Sequence, residues 1–353
     1  MAPKKIMRVA VAGLGRMGKR HVTNFHTLSP SSRVVAVTSP VQAELDWAAE
    51  YIDGVETYLD FEELLEKAQV DVVVVSSITD GHARQTIAAI KKGLHVMCEK
   101  PLSLDKSIAT SVVVAYEESK KTFRKQKVMC GFSRRFDAPY REAKERLDAN
   151  EMGKPVVFRS QTADLFDDSS YFTEYAKTSG GIFLDCSIHC IDLMNWFYGE
   201  DAKIKSIQAV GVAACHPSLM ECGDRDNAIG LIEFYDNRIA QLYCTRMMAA
   251  GQEDTTEIIC ERGSMRINMY GQKNFVEVHD SHGARRKLPK HYYERFREAF
   301  ATEANEFIAA CINDTAVPIT LTSSARAVAI GSALMRSLVT GEKILVDKKT
   351  QVI

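Results

Sequence analysis

The sequence predicts an α/β chain. A doubly wound parallel sheet comes first, and an α+β domain with a large, open, mostly antiparallel sheet follows. Three observations carry this. Strand-like and helix-like segments alternate through the first 130 residues, which implies a parallel sheet with helices on both faces. A glycine pattern, Gly13-x-Gly15-x-x-Gly18, sits between the first strand and the first helix. After residue 131 the pattern turns strand-rich.

The elements follow in order. Ile6–Ala12 is a short apolar run ending at glycine, and Arg16–Leu28 reads as a helix. Val34–Thr38 is β-branched, Gln42–Tyr51 helical, and Val55–Tyr58 a short strand. Asp60 caps a helix through Ala68. Val70–Ser76 holds four consecutive valines, the mark of a strand buried on both faces. Gly81–Gly93 is a helix closed by glycine, Leu94–Cys98 a strand, Asp105–Lys121 a helix and Lys127–Gly131 a sixth strand.

Beyond this come a helix at Ala138–Asn150, a strand at Pro155–Phe166 and a helix around Leu184–Phe197. Five β-rich segments follow: Ile204–Ala214, Asn227–Tyr235, Arg238–Arg246, Thr255–Glu261 and Ser264–Met269. Helices at Glu294–Asn313 and Thr322–Thr340 close the chain. The expected domains are residues 1–131 and 132–353, with the terminal helix free to pack back on the first.

A length of 353 residues suits two domains, because single cores stop growing near ~250–300 residues. With 46% hydrophobic residues there is apolar material for both cores. A formal net charge of −1 offers no bulk field for nucleic acid or an anionic membrane. Nine scattered cysteines, an odd number, suit reduced thiols in a cytoplasmic protein rather than a disulfide framework. Neither a signal-peptide-like segment nor a run of about eighteen apolar residues is expected.

The glycine pattern gains meaning from its strand–turn–helix context. The first glycine permits the tight turn and the second a close approach of backbone to a pyrophosphate. The third lets the helix pack against the strand, as in a Rossmann dinucleotide-binding domain. Such domains usually place a carboxylate at the tip of the second strand to bind the adenosine ribose. Here that tip reads Thr38-Ser39-Pro40, with no acid. Hydroxyls there, with Arg16 and Arg33 for positive charge, favour NADP(H) over NAD(H).

Two further places carry chemistry. Glu99-Lys100-Pro101 ends the fifth strand, and Pro101 keeps Lys100 out of helical geometry. A lysine at the carboxyl edge of such a sheet can hydrogen-bond a reacting oxygen. Asp185 and His189, at i and i+4, share one face of an expected helix. Alcohol oxidation releases a proton from oxygen as hydride leaves carbon, and an imidazole backed by a carboxylate can accept it. Cys186 and Cys190 flank His189, but no second cluster stands at zinc-site spacing, so no metal is expected.

These motifs in this order resemble the glucose–fructose oxidoreductase / inositol 2-dehydrogenase (Gfo/Idh/MocA) family. The resemblance is carried by Val9–Gly18, by His82 with Gly93–Val96, and by Glu99-Lys100-Pro101. It is also carried by Gly131–Asp137, by Gly180-Gly181 before Asp185-x₃-His189, and by Ala325, Ala327 and Ala329 in the terminal helix. It implies a hydride-transferring oxidoreductase acting on a secondary alcohol of a sugar or polyol. Lys100 would polarise the substrate oxygen, His189 would act as general base, and Asp185 would bind a hydroxyl and support His189. Gly13, Gly15, Arg16, Met17, Gly18, Ser39, Ser77, His82 and Glu99 would line the cofactor, with Arg134 and Asp164 near substrate. The open sheet face would build a homodimer or homotetramer.

The segment Phe132–Asp137 looks closest to inositol 2-dehydrogenases. Ser39 departs from the acid of their NAD-using members, and Thr79 from an asparagine. The loop Asp164–Ser179 matches no assignable pattern. Two other readings are a cofactor-binding sensor without catalysis on the same scaffold, and a dihydrodiol- or biliverdin-type reductase. Retention of Lys100, Asp185 and His189 together favours an enzyme.

Overall fold

Four valines fully withdrawn from solvent, Val72–Val75, form the strand around which the first sheet is organised. In the computed structural model, which describes residues 5–269, 273–274 and 276–351, this strand lies between its neighbours in the middle of a six-stranded sheet. The elements are β1 (Met7–Ala12), α1 (Arg16–His26), β2 (Ser32–Thr38), α2 (Gln42–Tyr51) and β3 (Glu56–Tyr58). Then come α3 (Phe61–Lys67), β4 (Val72–Val75), α4 (Thr79–Lys91), β5 (His95–Glu99), α5 (Lys106–Ser119) and β6 (Val128–Gly131). The order is β3-β2-β1-β4-β5-β6, all parallel. Successive strands run outward from the centre in both directions. Right-handed crossovers therefore put α1 and α2 on one face and α4 and α5 on the other. Asp60 and Asp105 cap α3 and α5, accepting from the backbone N–H of Glu63 and of Ser107 and Ile108.

The chain forms two compact units, but not by a single cut. Residues 1–133 and 298–328 make one, and 134–297 and 329–353 the other. The expected boundary at 131 falls two residues early, and a segment far along the chain returns to the first unit.

The second unit holds α6 (Ala138–Asp148), β7 (Pro155–Leu165), α7 (Ser170–Ala176), α8 (Ile182–Asp185), α9 (Ile188–Tyr198) and β8 (Ile204–Val212). β9 (Asn227–Phe234), β10 (Ile239–Met248), β11 (Glu253–Cys260) and β12 (Gly263–Ile267) follow. After a hairpin, β13 (Glu277–Asp280) and β14 (Gly283–Arg286), come the long helices α10 (Tyr292–Asn313) and α11 (Leu321–Thr340), then β15 (Ile344–Leu345). The helices span the points where the chain passes from one unit to the other.

Seven strands form the second sheet in the order β12-β11-β7-β10-β9-β8-β15. It is antiparallel except for β7 beside β10. One face is covered: Phe183 and Leu334 crowd Gly230, and Leu338 crowds Gly211. The other face is open. Val210, Leu231 and Ile239 are 50–60% exposed there, with Val210 in register with Ile229, Leu231 with Gln241 and Ile239 with Glu233 on neighbouring strands.

Among the glycines of the first unit, Gly18 in the glycine turn is the most closely packed. A Cβ at residue 18 would lie 1.8 Å from the Gly13 carbonyl oxygen, whereas one at residue 15 would meet nothing within 4 Å. Gly18→Ala is expected to cost about 1–3 kcal/mol, read as a lowered urea midpoint, with a smaller loss for Gly15→Ala. An unchanged midpoint for Gly18→Ala would refute this account of the turn.

Candidate active site

In the first unit β1 runs into Gly13, which takes φ +87° and so favours glycine. Its N–H donates to the Thr38 carbonyl (2.8 Å) and its carbonyl accepts from Ser76 Oγ (2.9 Å), so the turn is tied to the tips of β2 and β4. Gly15 caps α1 without a side-chain acceptor, and no carboxylate stands in the first turn. A Cβ at residue 15 would meet nothing within 4 Å, so there is open space at the start of α1. That arrangement fits a dinucleotide pyrophosphate. Arg16 is exposed, Met17 half-buried and Gly18 buried against the turn. Ser77, also half-buried, donates to Gln85 Oε1 (2.7 Å).

The tip of β2 differs from the acid-free edge expected there. Ser39 is buried, and its hydroxyl donates to Glu44 Oε2 at 2.5 Å while accepting from the Val41 N–H at 3.1 Å. A carboxylate does stand at this tip, supplied by the first turn of α2 rather than by the strand. The acid five residues after the serine, in a helix first turn, was the sequence signal for it.

The corner after β5 is built from buried charge. Glu99 is 6% exposed, yet its carboxyl is held below the usual carboxylate range. Burial opposes ionisation, but the bond and charge of His21, the charge of Lys100 and the Lys100 N–H outweigh it. His21 Nε2 lies 2.6 Å from Oε1, and the Lys100 N–H donates to Oε2 at 3.0 Å. His21, Val22 and Phe25 share the buried face of α1, at helical spacing. The Lys100–Pro101 peptide is cis, and Lys100 is half-buried.

His82 is buried, not open to a cofactor as expected. Nδ1 lies 2.8 Å from the Pro101 carbonyl and Nε2 3.0 Å from the Ser77 carbonyl. Burial lowers its pKa despite both carbonyls. The neutral ring has one N–H and can donate to only one of them at a time. Glu99 likewise spends its carboxylate on His21 and the Lys100 backbone.

In the second unit the helix expected around Leu184–Phe197 is two helices. α8 ends at Asp185, Cys186 and Ser187 form a turn, and α9 begins at Ile188. The i, i+4 spacing therefore does not by itself pair Asp185 with His189. The Asp185 carboxylate accepts from Tyr175 Oη (2.9 Å) and Arg246 Nη2 (3.3 Å). Arg246 is buried on β10 and also pairs with Asp224 at 2.6 Å. Burial opposes its charge, but Asp224 and Asp185 raise its pKa above the ordinary range. Both Asp185 and His189 are half-buried.

Arg134 is 3% exposed, against the expectation of a substrate contact. Its guanidinium pairs with buried Asp254 (2.6 Å) and donates to Thr162 Oγ1 (2.9 Å). Asp164, half-buried at the end of β7, accepts from Gln252 Nε2 (2.8 Å) and from the Cys186 thiol (3.1 Å). A hydrogen bond with the free thiol of Cys244, together with burial, pushes the Cys186 thiol well above its ordinary pKa. Among the described residues, no group of three or more His, Cys, Asp or Glu side chains could hold a metal ion, and no helix is long and apolar enough to cross a membrane. The sequence reading missed His21, Glu44, Tyr175, Arg246 and Gln252, which all act on its candidates through side-chain bonds.

Comparison with known proteins gives a consistent result. The family described as "Oxidoreductase family, NAD-binding Rossmann fold" matches residues 7–127, and the "GFO/IDH/MocA C-terminal domain" matches 140–266. The chain is 32% identical over 350 residues to scyllo-inositol 2-dehydrogenase (NAD(+)) of Bacillus subtilis, covering 97% of each chain. It is 29% identical to myo-inositol 2-dehydrogenase of Thermotoga maritima, over 86% of this chain and 87% of that one. The structure of scyllo-inositol dehydrogenase from Lactobacillus casei with bound NAD(H) and scyllo-inositol superposes with a TM-score of 0.90 at 32% identity. It covers 97% of this chain and 99% of that one. The chain belongs to the Gfo/Idh/MocA oxidoreductase family, with an NAD-binding Rossmann region followed by the family's C-terminal domain.

Proposed function

We propose that this protein oxidises a secondary alcohol of a cyclic polyol of the inositol class, or reduces the matching ketone, with NAD(H). The observation that carries the reading is the likeness, along nearly the whole of both chains, to a dehydrogenase whose structure holds NAD(H) and scyllo-inositol. It is supported by the presence here of Lys100, Asp185 and His189. When bound, the nicotinamide supplies the hydride acceptor or donor. The chain's own residues handle the oxygen and its proton. The Lys100 ammonium hydrogen-bonds the reacting oxygen, and the His189 imidazole takes the hydroxyl proton in oxidation and returns it in reduction. Asp185, its charge matched by Arg246, accepts from a neighbouring hydroxyl of the ring.

The expectation of NADP(H) over NAD(H) rested on an acid-free strand tip. Glu44 removes that premise, because a carboxylate fixed on Ser39 repels a 2′-phosphate and accepts from ribose hydroxyls. We also propose that copies of this chain associate through the open face of the second sheet. The exposed Val210, Leu231 and Ile239 support this, since contiguous apolar surface marks association.

Three outcomes are expected. Lys100→Ala and His189→Ala each lower kcat by roughly 10²–10⁴-fold on inositols, with the Kd for NADH by fluorescence titration nearly unchanged. Full turnover in both variants contradicts the assignment. Glu44→Gln narrows the gap between the Kd values for NADH and NADPH by roughly tenfold, and an unaltered ratio defeats the account of the strand tip. Light scattering finds the wild type oligomeric and Leu231→Glu shifted to smaller species; a monomeric wild type rules out the interface.

A further inference from the structure

We infer that His21 is a positioning residue for Lys100, acting through the Glu99 carboxylate. The inference rests on Lys100 being the amine that meets the substrate oxygen.

The chain of contacts is short and closed. His21 is 1% exposed, on the buried face of α1, with the rings of Phe25 and Phe300 6.3 and 6.2 Å away. Its Nε2 bonds one oxygen of Glu99, and the other oxygen accepts the backbone N–H of Lys100. One buried carboxylate is thus divided between a helix and the peptide that carries the lysine. A buried carboxylate without a partner gives up its charge, so the imidazole keeps Glu99 ionised and aimed. An ionised acceptor grips an amide N–H more strongly than a neutral one.

The same corner is held from the opposite side. α1 and α4 lie on opposite faces of the sheet by the handedness of their crossovers. From α4, His82 reaches the carbonyl of Pro101, the residue after Lys100. The Lys100 N–H is therefore fixed through Glu99 by buried His21, buried His82 lies within hydrogen-bond reach of the next carbonyl, and Lys100 itself is the half-buried residue between buried Glu99 and buried Pro101. A lysine stem is flexible, so the placement of its amine depends on how well its backbone is fixed. A misplacement of about 1 Å can cost a hundredfold in rate. A merely structural ion pair would stabilise the unit without coupling to what the amine does.

The experiment uses His21→Leu and His21→Gln, each alone and combined with Lys100→Ala. His21→Leu is expected to lower kcat roughly 10–100-fold, with the substrate KM and the NADH Kd within about threefold of wild type. His21→Gln, which keeps an N–H donor, recovers most of the loss. In the Lys100→Ala background His21→Leu costs nothing further, because the group it positions is gone. Equal losses in both backgrounds overturn the inference. The second readout is hydrogen exchange at the Lys100 amide, which should speed up in His21→Leu and not in His21→Gln. An unchanged amide also overturns it. Unaltered turnover in Lys100→Ala alone would defeat the catalytic reading of Lys100, while the amide readout would still report whether His21 fixes that backbone. If His21→Leu does not fold, Glu99→Gln, which keeps the shape and loses the charge, carries the same comparison.

Discussion

A carboxylate taken out of water has to be matched, and the match at Glu99 organises the first unit. An isolated buried ion costs several kcal/mol even after the surroundings relax. The Glu99 carboxylate is answered by an imidazole from α1 and a peptide N–H from the next residue. Because α1 also begins at the glycine turn, one helix serves both ends. Its N-terminus opens from the glycine turn, and its second turn, through His21, holds the corner that carries Lys100.

The second unit solves the same problem with arginines. Arg134 answers Asp254, Arg135 answers Asp192 through two parallel bonds, and Arg246 answers Asp224 and Asp185. Each pair is buried or nearly so, and each joins segments distant in sequence. Planar guanidinium forks suit this, because they fix orientation as well as charge. Arg246 shows the functional side of the device. It keeps one carboxylate, Asp224, on the backbone at Ile182 and another, Asp185, in place at the end of α8.

What the sequence made legible was local. The four valines, the glycine turn and the Asp60 and Asp105 caps are decided within a few residues, and all appear where expected. What it hid depends on distant partners. Nothing near His21 points to Glu99, 78 positions away, and nothing near Arg134 points to Asp254. Ser39 looked available for a cofactor because its partner Glu44 sits beyond a proline turn. The turn at Cys186-Ser187 was illegible because neither residue breaks helices strongly; both remain in the right-handed helical region while the hydrogen bonding is interrupted. β13 and β14 carry charge and histidine on both sides and bury nothing, so no apolar alternation announced them.

The return of residues 298–328 to the first unit has a consequence for how the molecule is made. On the ribosome, chains emerge from the N-terminus and early domains ordinarily close first. Here the N-terminal sheet lacks a part of its unit until almost the entire polypeptide has been synthesised. The middle of the chain, β7 to β12, can assemble while the earlier unit is still waiting for its last segment. Both units wait on the C-terminal stretch, the first for residues 298–328 and the second for 329–353, and a nascent chain halted before residue 298 would present an unfinished nucleotide-binding half to whatever chaperone attends it.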